Sequence, residues 1–416
     1  MNSPWPSLLS GPLRTQSLEA VEAVIQDVAG LIPGRWPASL MEGHLGLALF
    51  FDMASRLTGG RYDEQVAHCL EQATERLARG EPPAGLHVGL GGLGWTVLHL
   101  AERHSLDIEE LCAQVDEELE ARLQKTPTPY GCDLREGLAG IGLYALKRLP
   151  HPSGQRLLER VVELLEGTAE VSGTDLTWPL PRSYWALHGP GASFPNGLYT
   201  VGVAHGIPPA LAVLAAAHRL GIARAKAELL LDRGFAWLGR LASPTGHPAF
   251  PHFLHGAERV TDERFSWCVG NPGITAVLWW AAHLWGHPVW TARALDWARH
   301  VAREALERPL PAVTNLCCGS AGTAHLFLRL FQATREPLFE EAAVRWLRHT
   351  LSLRQPGSGI GGFDFKQSAQ PVPVLQYGAS GTALTLLAAA SDLAPDWDEA
   401  FLFSLHSPLR STTPTA

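Results

Sequence analysis

Apolar residues recur along this chain in two alternating kinds of segment. In Leu111-Cys-Ala-Gln-Val115-Asp-Glu-Glu-Leu119 they fall at helical spacing with acids between them. The same amphipathic pattern runs through Ser17–Ala29, Asp63–Arg79, Ile108–Lys125, Gly154–Gly167, Ala223–Arg240, Trp290–Glu307 and Glu336–Leu353. Each predicts a helix with one buried stripe and one solvated face. Each is followed by a segment that is apolar nearly all round, such as Gly137-Leu-Ala-Gly140-Ile-Gly-Leu-Tyr144. A helix apolar on every side must be buried on every side.

The apolar segments open alike. Their first glycines are Gly43, Gly89, Gly137, Gly206, Gly270, Gly319 and Gly378, which lie 46, 48, 69, 64, 49 and 59 residues apart. A second small residue usually follows three positions on, as in Gly46, Gly92, Gly140, Gly273, Gly322 and Gly381; the fourth repeat has Pro209 there. Such a period marks a repeat architecture. Seven buried helices alternating with seven amphipathic ones predict an all-α fold, an (α/α) toroid of seven inner and seven outer helices spanning residues 1–416 as one domain. The small residues are expected to let the inner helix ends crowd around a central opening. Long connections at 168–204, 243–267 and 354–376 each lead into an inner helix, so all three are expected on one face, where function tends to sit. No strand-rich domain is evident. The segment after Pro395, ending Ser-Thr-Thr-Pro-Thr-Ala, is expected to fray.

Composition agrees with a large packed core: 46% of residues are hydrophobic and 18% charged. With 33 Lys and Arg against 41 Asp and Glu the net charge is −8, which disfavours nucleic acid as a partner. The N-terminus lacks the basic and apolar regions of a signal peptide, and the longest apolar stretches are far too short to span a bilayer. A cytoplasmic protein is expected. Six cysteines are too few for a disulfide scaffold of this length, and adjacent Cys317 and Cys318 suit metal binding or thiol chemistry better than a bridge.

Aligning Gly270 with Gly319 sets Cys268, in Trp267-Cys268-Val-Gly270-Asn-Pro272-Gly273, opposite Cys317, in Asn315-Leu-Cys317-Cys318-Gly319. Three thiols are then expected at neighbouring inner-helix N-termini, where the helix dipole favours thiolate. Three thiolates with one position open is a catalytic zinc geometry. Buried core cysteines are the competing reading. His205 stands directly before Gly206, Asp133 four residues before Gly137, and Arg264 four before Cys268. In this register an imidazole, a carboxylate and a guanidinium surround the metal, with histidine the natural acid or base near neutral pH. Each alone is more ordinarily a cap, turn or solvated residue. Cys69 and Cys112 read as packing residues, Cys132 as a neighbour of the mouth, and His188, His252 and His255 as mouth-side residues within reach of substrate.

At these residues the chain resembles the LanC-type lanthionine synthetases, the cyclases of lanthipeptide biosynthesis. Asp133-Leu-Arg-Glu136-Gly137, Ala204-His205-Gly206 and the two cysteine motifs carry the resemblance, and the glycine register extends it over roughly 16–390. It implies an α/α toroid with Zn2+ held by Cys268, Cys317 and Cys318, acid–base roles for His205 and Asp133, and an active-site role for Arg264. The implied reaction is addition of a peptide cysteine to dehydroalanine or dehydrobutyrine in a dehydrated precursor peptide. With no room for a dehydratase domain, a separate dehydratase is the implied partner, with an exporter as a further one and membrane association through such a complex. Two departures stand out. Cys318 replaces the family's common histidine, as in a subset that carries Cys-Cys-Gly, and Val269 stands where an aromatic is frequent. Other readings are a LanC-like protein that binds glutathione or adds thiols elsewhere, a toroidal glycosidase, prenyltransferase or terpene cyclase, and a non-enzymatic scaffold. No Asp-rich terpene cyclase motif is present, and an open solenoid leaves the thiol register unexplained.

Overall fold

The computed structural model describes residues 5–32, 34, 36–188, 192–242, 250–256, 258–261, 264–365 and 372–405. Its helices, in chain order, are α1 (Gly11–Leu31), α2 (His44–Thr58), α3 (Asp63–Leu77), α4 (Leu90–His104), α5 (Glu109–Leu123), α6 (Leu138–Arg148) and α7 (Pro152–Thr168). There follow α8 (Ile207–Leu220), α9 (Arg224–Leu241), α10 (Asn271–Trp285), α11 (Pro288–Glu307), α12 (Ser320–Thr334), α13 (Pro337–Ser352) and α14 (Ala379–Ala390). The even-numbered helices are the predicted apolar ones. Each packs on the next, and α14 returns to α2, closing an inner ring. The odd-numbered helices lie outside, α3 against α2 and so on to α13 against α12, while α1 covers α14. Trp5 Nε1 donates to the Ala388 carbonyl and Leu8 N–H to that of Ala389, so the first described residues are clasped to the end of α14.

The glycines act more locally than expected. The loop before each inner helix folds back over the helix's first turn. Leu90 N–H donates to the Pro83 carbonyl (2.9 Å), Leu138 to Gly131 (2.8 Å), Ser320 to Val313 (2.9 Å) and Ala379 to Val372 (3.0 Å). Main-chain carbonyls thus satisfy N–H groups that a capping side chain usually takes. The approach leaves no room for a Cβ: one at Gly322 would lie 1.9 Å from the Leu316 carbonyl oxygen, and one at Gly273 2.0 Å from that of Trp267. Crowding between neighbouring repeats is the lesser effect, as at Gly381, where a Cβ would meet Leu316 Cγ at 2.5 Å.

Two of the long connections carry strands too short to show an alternating pattern. β1 (Glu170–Ser172) and β2 (Asp175–Thr177) form an antiparallel hairpin. β3 (Tyr199–Thr200), from the same connection, pairs with β4 (Phe253–His255) from the next, which pairs with β5 (Glu258–Val260). A 3-10 turn, Arg182–His188, lies between the two strand groups in sequence. The third connection is tied to the C-terminal part of α1, where Gly361 N–H donates to Asp27 Oδ2 (2.7 Å).

The segment after Pro395 is not frayed. A 3-10 turn, Asp396–Phe401, and the residues to Ser404 are largely buried, with Trp397, Phe401 and Phe403 at 0–1% exposure. The segment bonds to residues of several inner helices: Asp396 to Arg56 of α2 and Arg103 of α4, Asp398 to His325 and Arg329 of α12, and the Phe403 carbonyl to Trp280 Nε1 of α10. It therefore plugs the axis of the toroid. The Ser-Thr-Thr-Pro-Thr-Ala end itself lies outside the described residues. Among the described residues no helix is long and apolar enough to cross a membrane.

Candidate metal centre

The pre-helix loops meet at one mouth of the toroid, joined through the residue two positions before each first glycine. His87 N–H donates to the Arg135 carbonyl (3.1 Å), Met41 to His87 (3.4 Å), Gln376 to Met41 (3.0 Å), Cys317 to Gln376 (3.1 Å), Cys268 to Cys317 (3.4 Å) and Ala204 to Cys268 (3.1 Å). This belt holds the repeats in register, so residues at equal offsets from their glycines share one level. Among the described residues it is not continued from Arg135 to Ala204. At that break Asp133 Oδ1 and His205 Nδ1 face each other at 4.0 Å.

Cys268, Cys317 and Cys318 converge as their register requires. The Sγ atoms of Cys268 and Cys318 are 3.6 Å apart, those of Cys317 and Cys318 3.5 Å, and all three lie within 4.8 Å of one another. Sulfurs on tetrahedral zinc with Zn–S bonds of about 2.3 Å sit about 3.8 Å apart, so the donor set fits that ion. Cys268 and Cys317 are buried and Cys318 half-buried, so the cluster is reached from the Cys318 side. Asn315 Oδ1 accepts from the Cys318 N–H (2.9 Å) and fixes the turn. The sulfurs share charge unequally. Hydrogen bonding from the Cys268 and Cys317 thiols, with the Arg264 cation nearby, pulls the Cys318 thiol far below its usual range, while Cys317 is held up. Arg264 is thus placed at the cluster.

Asp133 and His205, at the same mouth, are tuned in opposite directions. Burial raises the Asp133 carboxyl to about 6 and lowers the His205 imidazole to about 4. Asp133 Oδ1 accepts from the Glu136 N–H (2.9 Å), whereas Asp133 Oδ2 and His205 Nδ1 are buried with no partner among the described residues. Unsatisfied buried polar atoms are rare and point to a working site. They also predict a pH signature. The folded pKa of Asp133 lies above its ordinary 3.8, so its contribution to stability is full below that value and lost as pH rises through about 6. His205 has the reverse sign: its contribution is full above its ordinary 6.5 and lost as pH falls through about 4. The two slopes nearly offset between them. In Asp133→Asn the histidine slope stands alone, so stability should rise with pH across this window. At pH 8 the variant, with no buried charge, should exceed the wild type by roughly 2–3 kcal/mol, checked by denaturant titrations at several pH values.

The remaining cysteines behave as packing residues. Cys69 and Cys112 are buried on α3 and α5, and burial pushes their thiols up to about 12 and about 11. Cys132 faces the Gly206 carbonyl at 3.6 Å, outside the cluster. His255 Nδ1 bonds to the Gly197 carbonyl (2.9 Å) and the His252 ring packs on Phe253. The side chain of His188 lies outside the described residues. Two groups escape a reading of the sequence. His87 shares the register of Cys268 and Cys317, two residues before its glycine, and its Nε2 donates to the Ala400 carbonyl of the plug (2.9 Å). Tyr184 sets its ring against His205 but sits in a long connection with no pattern to mark it.

A closed double ring of helices with sulfurs and a His–Asp pair at one mouth defines an α/α-toroid protein with a candidate metal centre. A family model described as Lanthionine synthetase C-like protein matches residues 34–402, and the chain belongs to that family. Among solved structures, nisin cyclase is similar in fold, with a TM-score of 0.73 at 16% identity over 92% of this chain and 96% of that one. An unsaturated glucuronyl hydrolase from Streptococcus agalactiae aligns with a TM-score of 0.50 at 9% identity, covering 92% of this chain and 93% of that one. No curated protein matches the sequence.

Proposed function

We propose that the protein is a zinc-dependent lanthionine synthetase that closes thioether rings in a dehydrated precursor peptide by adding a cysteine thiol to dehydroalanine or dehydrobutyrine. The observation that carries this reading is the three-sulfur cluster of Cys268, Cys317 and Cys318 at the same mouth as the Asp133–His205 pair, with Ala204, next to His205, bonded to the Cys268 carbonyl (3.1 Å). Zinc held by those sulfurs would supply the Lewis acidity that lowers the pKa of a substrate thiol. His205, neutral at pH 7, is set to accept the thiol proton, and Asp133 stands 4.0 Å away to share it. The same proton then goes to the α-carbon after the carbon–sulfur bond forms, so none is gained or lost overall. Arg264, beside Cys318, offers a fixed cation to the enolate that forms between these steps. The protein works in the cytoplasm on peptide delivered by a separate dehydratase and passes product to an exporter.

Freshly purified, reduced protein is expected to carry about one zinc per chain, the count a single three-sulfur site allows. It should close rings in dehydrated precursor peptide, stop after dialysis against a strong chelator, and recover when zinc is restored. Wild type without zinc, or ring closure that survives zinc removal, sinks the reading.

A further inference from the structure

The pair of Asp133 and His205 has a third neighbour. Tyr184 approaches from the 3-10 turn Arg182–His188, with its ring centroid 5.2 Å from that of His205 and the planes at 64°, an edge-on contact. Its hydroxyl is buried, makes no well-aligned hydrogen bond among the described residues, and has the Glu136 carboxylate within reach. Tyr184 and Asp133 line one cleft of about 210 Å³, together with Glu136, Ser183 and Tyr130. Three segments far apart in sequence therefore bring three buried polar atoms that lack a well-aligned hydrogen bond to one place: Tyr184 OH, Asp133 Oδ2 and His205 Nδ1. Buried polar atoms cost free energy when unpaired, so a fold that gathers three holds them for a partner they meet in the working state.

We propose that Tyr184 is a positioning residue of this site, which fixes the His205 ring edge-on and donates its hydroxyl to Asp133 while the pair holds a proton. The assignment rests on the proposed cyclase reading for its catalytic meaning, while the contact itself does not. The donor inventory supports it. A carboxylate accepts but cannot donate, a neutral imidazole donates from one nitrogen only, and a phenol that must donate finds its nearest acceptors in Asp133 and Glu136. Burial, with the nearby charges of Asp133 and Glu136, also keeps the phenol protonated, so its O–H is available throughout the working pH range. Glu136 is also within reach of the phenol but is paired with Arg135 (3.3 Å), whereas Asp133 keeps one buried, unpartnered oxygen for the hydroxyl to turn to.

Tyr184→Phe keeps the ring against His205 and removes only the hydroxyl. Zinc content and melting temperature are expected to stay at wild-type values. The turnover number for ring closure should fall roughly ten- to hundredfold, the fold-change of a hydrogen bond to a charged group, with KM little changed. Nitrogen-15 NMR of His205 in the zinc-loaded protein without substrate gives a readout independent of activity. Its ring signals should move in Tyr184→Phe, and more in Tyr184→Ala, which also loses the edge contact. Unchanged His205 signals in both variants overturn the proposal, whether or not the protein closes rings, as does wild-type turnover in Tyr184→Phe. A wild-type protein that closes no rings while His205 still responds to Tyr184 fails the cyclase reading and leaves the positioning contact standing.

Discussion

The Cys317→Ala variant is expected to purify with less than about a tenth of the wild-type zinc and to close rings no faster than the uncatalysed reaction. Loss even of groups that only support a metal's ligands typically costs 10- to 100-fold in affinity, and a lost ligand costs more. Cys317, like Cys268, is held too firmly for a neighbour to replace it. It is buried, its N–H is bound to the Gln376 carbonyl, and its own carbonyl accepts from Cys268. The belt that would have to move to bring in another donor therefore runs through it. Two controls sharpen the test by elemental analysis. Cys132→Ala should keep its zinc, because that sulfur faces the Gly206 carbonyl rather than the cluster. Cys318→His should also keep it, because the half-buried Cys318 position has room for an imidazole that offers a neutral nitrogen. A Cys317→Ala protein with full zinc would mean that the three sulfurs are core packing.

The cluster was legible in the sequence for a physical reason. The belt of main-chain hydrogen bonds makes distance from the glycine equivalent to height at the mouth, so counting back from Gly206, Gly270 and Gly319 locates His205, Cys268 and the Cys317–Cys318 pair at one level. The seven inner and seven outer helices were legible for a related reason, since burial on all sides and on one side leave different patterns. Asp133 fits the register less simply, four residues before its glycine, and reaches His205 because the belt stops there. What no pattern carries is structure made from distant pieces. The strands of two or three residues in the long connections are too short for alternation to show. Tyr184 has no glycine to count from. The plug reads as a polar, proline-flanked end because its partners, Arg56, Arg103, His325 and Arg329, lie about 70 to 340 residues earlier in the chain. The capping of the inner helices escapes notice too, because main-chain carbonyls supply it and leave no residue signature.

The plug sets the second large expectation: Asp398→Ala should lower unfolding stability by roughly 3–5 kcal/mol, the cost of leaving a buried ion without its partner. Asp398 is fully buried and accepts from Arg329 Nε and Nη2 (2.5 and 2.7 Å), His325 Nε2 (2.6 Å) and Ser404 Oγ (2.7 Å). Burial alone would raise its carboxyl, but Arg329 and His325 outweigh that and hold it at about 2. A folded pKa below the ordinary 3.8 means a contribution present above that value and lost as pH falls toward 2. Wild type and Asp398→Ala should therefore differ most near neutral pH and converge in strong acid, which denaturant titrations at pH 7 and pH 3 can read. The consequence reaches the cysteine cluster. Just beyond Asp398 the plug's Ala400 and Phe401 carbonyls accept from His87 Nε2 and Trp267 Nε1 (2.9 and 2.8 Å). His87 belongs to the belt, and Trp267 directly precedes Cys268. Releasing the plug thus loosens one cysteine of the cluster from below, and zinc should leave Asp398→Ala faster than wild type in a chelator competition even at temperatures where both are folded. Equal release rates in the folded proteins would mean that the plug stabilises the toroid alone and that the belt by itself holds the cysteines in place.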